Sequence, residues 1–148
     1  MADRVIEHTT IEASPDAVLA VLLDFAQYPA WAPDLKDVEV LEADDQGRGT
    51  SVRFRAAGFG KSTVYTLAYD HSDPNVVAWT LTEGDITRKL DGYYELLEGD
   101  EAGSTEVTYQ LEADLIVPIP GFIKRRTQGR IMHTALRELK ARVENQVQ

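Results

Sequence analysis

The hydrophobic period of this chain changes twice, and those two changes limit the possible folds more than any other feature. From about Leu35 apolar residues fall on every second position. Val38 and Val40 alternate with acids, and Val52, Phe54 and Ala56 alternate with Ser51, Arg53 and Arg55. Side chains on a strand point to opposite faces in turn, so this is the pattern of half-buried strands. Turn-forming clusters break it at Asp44-Asp45-Gln46-Gly47, Gly58-Phe59-Gly60, Asp73-Pro74-Asn75, Glu83-Gly84-Asp85 and 99–103. The strands between them, 62–71, 76–82, 86–97 and 104–117, are expected to join by hairpin turns into an antiparallel meander. Past Pro118, Pro120 and Gly121 the period becomes helical: Phe122, Met132, Leu136, Leu139 and Val143 keep to one side, with Ile131 and Ala135 widening the stripe. One helix from about Phe122 to Asn145 is expected. Gly129 falls on that stripe, where it either lets the helix pack closely on the sheet or leaves room beside it.

The start of the chain adds a strand over residues 4–11 and a helix with a readable beginning. Ser14 is placed to cap it, Pro15 takes the first helical position where a missing N–H costs nothing, and Asp16 suits the positive end of the dipole. Val18, Leu19, Leu22 and Leu23 carry this helix to about Asp24, and Pro29 and Pro33 allow at most one further short helix over 25–33. The order is strand, two helical pieces, six strands, long helix. It predicts an α+β domain in which a seven-stranded antiparallel sheet buries one face on the C-terminal helix. At 148 residues, without internal repeats or linkers, one domain over residues 1–148 is expected, with no need of a disulfide or metal to hold it.

Charge and composition exclude several functions. The chain carries a net −10 and no cysteine, which removes thiol catalysis and cysteine metal sites. From Pro118 onward there are seven basic and two acidic residues; the preceding 117 hold eight basic and 23 acidic. A strongly acidic body argues against nucleic acid, whose binding depends on neutralising phosphates. The basic tail either complements that body or meets a negative surface. No secretory leader is recognisable in MADRVIEHTT and no stretch approaches the ~20 apolar residues of a membrane span, so a cytoplasmic protein is expected. His8, His71 and His133 lie far apart with no ligand spacing, and there is no nucleophile elbow, phosphate loop or dinucleotide fingerprint. Neither a metal nor a cofactor is expected.

The runs ASPDAV (13–18) and DFAQYPAWAPDLKDVEVLE (24–42) resemble the N-terminal signature of the polyketide cyclase/dehydrase and lipid-transport family of the START-like (SRPBCC, helix-grip) superfamily. YTLAYD (65–70), VVAWTL (76–81), DGYYEL (91–96), STEVTYQLEAD (104–114) and the last helix agree with it. The resemblance implies a curved sheet gripping the C-terminal helix around an apolar cavity. Relatives include aromatase/cyclases, lipid and sterol carriers and quinone-binding proteins.

Alternation then selects the residues that would face such a cavity: Phe54, Tyr65, Tyr69, Trp79, Tyr94 and Tyr109, among smaller aliphatic neighbours. Tyrosine in place of leucine or phenylalanine suits an apolar wall with polar tips, unless the hydroxyls reach water at the sheet edges. Phe122 and Met132 would face it from the helix. Trp31, in the segment that caps one cavity end in this family, is either a core plug or part of the rim. Arg88 shares parity with Leu90 and Tyr94, so it points inward, needing Glu7 or a ligand carboxylate or enolate as partner, or it reaches water at the strand mouth. Ile119, Phe122, Lys124, Arg125 and Arg126 form an apolar prow with a basic collar, suited to transient contact with an anionic membrane or simply to the start of a core helix. The preferred reading is binding or carriage of a hydrophobic small molecule, whether lipid, quinone or polyketide-like. The alternatives are a cyclase or dehydratase acting in the same cavity, or a toxin–antitoxin-like interaction partner.

Overall fold

Strand β1 (Asp3–Ile11) leads into Ser14, whose Oγ accepts a hydrogen bond from the Ala17 backbone N–H at 3.2 Å and starts helix α1 (Pro15–Leu23). The structure, a computed structural model, describes residues 3–58, 61–116 and 119–146. After α1 the chain makes a 3-10 turn (Phe25–Gln27) and one helical turn, α2 (Tyr28–Trp31). Pro33 lies just beyond, and Tyr28 closes this corner by donating its hydroxyl to the Leu22 carbonyl. Six strands follow: β2 (Leu35–Ala43), β3 (Gly49–Gly58), β4 (Lys61–Asp70), β5 (Val76–Gly84), β6 (Thr87–Glu98) and β7 (Thr105–Leu115). Helix α3 (Gly121–Gln146) ends the described chain. The expected turn at Gly58-Phe59-Gly60 and the break at Pro118 fall partly outside the described residues, as does Val117 at the end of the last expected strand.

All neighbouring strands are antiparallel, in the order β1-β7-β6-β5-β4-β3-β2. The first strand therefore closes on the last, and the two edges, β1 and β2, are the strands joined through α1 and α2. The expected α+β meander and its closing helix are what the structure shows. The inward positions read from alternation are buried: Val52, Phe54, Leu67, Val77, Tyr94, Leu96, Val107, Tyr109 and Leu111 are each under one-tenth exposed.

Helix α3 is held unevenly along its length. Its C-terminal half buries Leu136, Leu139 and Val143, and its polar side chains reach β1 and the residue after it: Lys140 Nζ donates to the Thr10 carbonyl at 2.6 Å, and the Glu144 carboxylate accepts from the Glu12 N–H at 2.9 Å. In the N-terminal half the positions four and eight residues before Met132 are Gln128 and Lys124. Both tie to β7 through their side chains, Gln128 Nε2 donating to the Leu111 carbonyl and Lys124 Nζ to the Leu115 carbonyl, both at 3.0 Å. Phe122, expected on the buried stripe, is instead 62% exposed, because the sheet-facing phase of the first turns runs through Lys124 and Gln128.

Gly129 packs closely on nothing: a Cβ built there would meet only Glu7 Oε1, at 4.0 Å. A mid-helix glycine without a steric reason costs up to ~1 kcal/mol against alanine. Gly129→Ala should therefore stabilise the fold, raising the melting temperature by about 2–4 °C in a chain of this size. A fall in thermal scans would show that the missing methyl is needed.

Candidate ligand cavity

Because α3 is clamped at one end and bridged by long polar side chains at the other, a cavity of about 240 Å³ remains between its N-terminal half and the concave sheet. It runs from the α2 corner, at Trp31 and Asp34, to the ends of β6 and β7 and the start of α3, at Thr87, Asp114 and Lys124.

Its wall is an aromatic belt with a ring from each successive strand. Phe54 on β3 stacks on its register partner Tyr65 on β4, centroids 5.5 Å apart. Tyr69 pairs with Trp79 on β5 at 5.9 Å, Trp79 meets Tyr94 on β6 at 5.5 Å, and Tyr94 stacks on Tyr109 of β7 at 4.3 Å. Such pairs add ~0.5–1.5 kcal/mol each beyond the area they bury. Trp79 can lie across the belt because its partner on β6 is Gly92; a Cβ there would come within 2.9 Å of the indole Cζ2 and 2.3 Å of the Gln110 carbonyl oxygen. Gly92→Ala should push the indole into the cavity or off the sheet, costing about 1–3 kcal/mol as an overpacked site does. An unchanged denaturation midpoint would show that the sheet relaxes freely there.

The hydroxyls of Tyr65 and Tyr69 have no hydrogen-bond partner among the described residues yet are not sealed from contact, and both rings line the cavity. Those of Tyr94 and Tyr109 interact with each other, which raises the first and opposes the rise of the second. Burial is the main influence on all of them: it pushes Tyr109 up to about 12 and Tyr28, Tyr65, Tyr69 and Tyr94 well above the usual 10. The cavity therefore presents neutral phenols, which are hydrogen-bond donors, at every physiological pH. The Trp31 indole N–H is buried without a hydrogen-bond partner, its ring 5.0 Å from that of Tyr28.

Seven of the ten residues selected from the sequence line this cavity: Trp31, Phe54, Tyr65, Tyr69, Trp79, Tyr94 and Tyr109. Trp31 is both plug and wall, since it also belongs to the buried core. Three are elsewhere. Arg88 is exposed because it is the extra residue of a β-bulge: Thr87 pairs with Leu115 and Lys89 with Asp114, so below Leu90, which lines the cavity as expected, the alternation slips by one and Thr87 faces inward in place of Arg88. Its expected partner Glu7 lies on β1, near Gly129. Phe122 projects into solvent, and Met132 is fully buried behind the cavity wall. The helix instead contributes Lys124, Gln128, Ile131 and Ala135. Sequence reasoning missed Tyr28, hidden in the proline-broken segment, and Gln128, whose signal was a polar residue one turn before Met132. No histidine lines the cavity: His71 Nε2 bonds the Gly49 carbonyl at 2.6 Å, and His8 and His133 are exposed.

The chain belongs to the polyketide cyclase / dehydrase and lipid transport family, which matches residues 3–144. Among solved structures it is similar to a START superfamily protein from Mycobacterium smegmatis, at TM-score 0.88 and 24% identity over 96% of this chain and 97% of that one. It is also similar to the Zhui aromatase/cyclase from Streptomyces sp. R1128, at TM-score 0.84 and 19% identity over 100% and 97% of the two chains. A STAR-related lipid transfer protein from Xanthomonas axonopodis superposes at TM-score 0.70 and 20% identity, covering 95% of this chain and 85% of that one. No curated protein matches in sequence. No helix among the described residues is long and apolar enough to cross a membrane.

The raised tyrosines tie stability to alkaline pH. A folded-state value above the unfolded one contributes stability that is whole below pH 10 and lost as pH rises through the folded value, which for Tyr109 is about 12. Each such tyrosine steepens that loss by ~1.4 kcal/mol per pH unit. The tyrosinate absorbance of Tyr28, Tyr65, Tyr69, Tyr94 and Tyr109 should appear in one cooperative step coincident with loss of circular dichroism. Smooth titration near pH 10 with the fold intact would show that the rings are open to water.

Proposed function

We propose that this protein binds one compact, ring-bearing hydrophobic molecule with oxygen acceptors, such as a quinone or a short polyketide-like compound, and releases it unchanged. The observation that carries this reading is the aromatic cavity of about 240 Å³ with tyrosines in its lining. Its size is below the ~300–1,000 Å³ that encloses a drug-sized ligand, so a two-chain lipid does not fit within it. Burying about 200 Å² of ring surface contributes ~5 kcal/mol at ~25 cal/mol per Å². Hydrogen bonds from Tyr65, Tyr69 and Tyr109 to carbonyl oxygens fix orientation and add ~1 kcal/mol each. The phenol hydroxyls can donate to oxygen acceptors on such a ligand.

Native mass spectrometry of freshly purified protein, followed by solvent extraction, would identify the natural ligand. Affinity for 1,4-naphthoquinone and for naphthalene separates orientation from simple burial. Tyr69→Phe and Tyr109→Phe should each weaken the quinone about 2–10-fold and leave naphthalene unchanged. Failure of both probes to bind would overturn the reading, and a ligand returned chemically altered would move the protein to the cyclase alternative.

A further inference from the structure

We infer that the N-terminal half of α3, with the segment before it, is a docking face for an anionic lipid bilayer, which sets the cavity mouth against the membrane. Two rows run side by side along the helix at four-residue spacing. Ile123, Thr127 and Ile131 form one; Phe122, Arg126 and Arg130 form the other. Phe122 is 62% exposed and Ile116, Ile123 and Ile131 are 50%, 39% and 36% exposed, so large apolar side chains crowd one end of the molecule. Burial does not explain them, because the buried face of α3 runs through Gln128, Met132, Leu136, Leu139 and Val143.

The charge of this end is opposite to that of the rest. In a chain of net −10, the first acid of α3 is Glu138, and Arg126 and Arg130 have no ion pair among the described residues. Arg125 is exposed beside them and has contacts of its own. A surface with projecting Phe and Ile among unpaired arginines matches the interface of an anionic bilayer, where the rings enter the acyl boundary and the guanidinium groups meet phosphates. An acidic protein would match the arginines alone. The acidic body does not oppose this contact: α3 is about 39 Å long, and charges farther than ~8 Å from the surface are screened at physiological salt. Glu7 on β1 approaches the helix at Gly129 and Asp114 lines the cavity from β7, so these acids lie on the sheet side and the molecule meets the bilayer helix side first.

The face also adjoins the opening by chain connectivity: Leu115, Lys124 and Ile131 line the cavity, Ile116 follows the first and Ile123 precedes the second. A ligand that partitions into lipid could then pass between bilayer and cavity without crossing water, a use that rests on the proposed function, whereas the docking itself does not.

Co-sedimentation with vesicles of phosphatidylcholine alone and with 30% phosphatidylglycerol tests it, using the full chain at low and at 0.5 M salt. The expected result is binding to the anionic vesicles only, weakened by salt. Arg126→Gln with Arg130→Gln should cut it ~25-fold, at about fivefold per cation. Phe122→Asp should cut it at least tenfold. None of the three lines the cavity, so circular dichroism and naphthoquinone affinity should stay unchanged, which separates this outcome from failure of the ligand reading. No binding to anionic vesicles at low salt would overturn the proposal. So would binding that survives Phe122→Asp while the arginine variant abolishes it, since a purely electrostatic face suits an acidic protein.

Discussion

Everything distinctive in this molecule depends on how α3 is attached. A helix of 26 residues laid along a sheet could bury a continuous stripe and leave no interior space. Here the stripe is apolar only from Met132 onward, and each fully buried side chain of that half contributes ~1.5–3 kcal/mol. Lys140 and Glu144 add bonds to backbone groups of Thr10 and Glu12. At the other end Gln128 and Lys124 span the gap instead of closing it. The cavity is thus the consequence of one helix whose two halves are written for different tasks.

An unfilled space beside a hydrophobic sheet would collapse if its walls could repack. The belt resists this because its rings are stiff and each is fixed by a neighbour on the next strand. Trp79 spans the gap left by Gly92, and Tyr94 lies against Tyr109. Phe25 and Tyr28 continue the belt onto the helical corner, Phe25 meeting Tyr69 at 4.7 Å and Tyr28 meeting Trp31 at 5.0 Å. A cavity walled by aliphatic residues of the same volume would have more rotamers through which to close. The mouth is stiffened separately: the Asp85 carboxylate accepts from the Thr63 hydroxyl and from the backbone N–H groups of Val64 and Ile86, joining β4 to the β5–β6 turn. These bonds to the charged form, led by that of Thr63, hold the Asp85 carboxyl below its ordinary range.

Most of this architecture was legible because period-two alternation and turn chemistry are local signals. They place Phe54, Tyr65, Tyr69, Trp79, Tyr94 and Tyr109 on one face without knowledge of which strands pair. Alternation fails where its premise fails. Nothing in Ile86-Thr87-Arg88-Lys89-Leu90 announces a bulge, because the extra residue is set by how β6 meets the end of β7, a long-range register. The helical period likewise gives the stripe but not its phase at the first turn, where no packed apolar residue pins it; that is why Phe122 was assigned inward and projects outward. Tyr28 sits between proline-restricted residues, where neither period applies. Gln128 could have been found, since one polar residue four before Met132 and a second at eight mark the point where the stripe stops being core.

The fold itself leaves the activity open. At 24% identity or below, the neighbours share an architecture that one of them uses as an aromatase/cyclase and another as a lipid transfer protein. Function on such a scaffold resides in the site grafted onto it. Three features separate the possibilities in physical terms. A space of about 240 Å³ limits what can be enclosed. Buried phenols held neutral line it, groups that can donate a hydrogen bond as well as accept one. The bulge that turns Arg88 outward removes the one cation that alternation would have put among the rings. Had that register continued unbroken, a guanidinium would stand where Thr87 now faces the cavity, and the site would favour a carboxylate or an enolate. One inserted residue in β6 therefore decides whether a guanidinium or the Thr87 side chain faces the pocket.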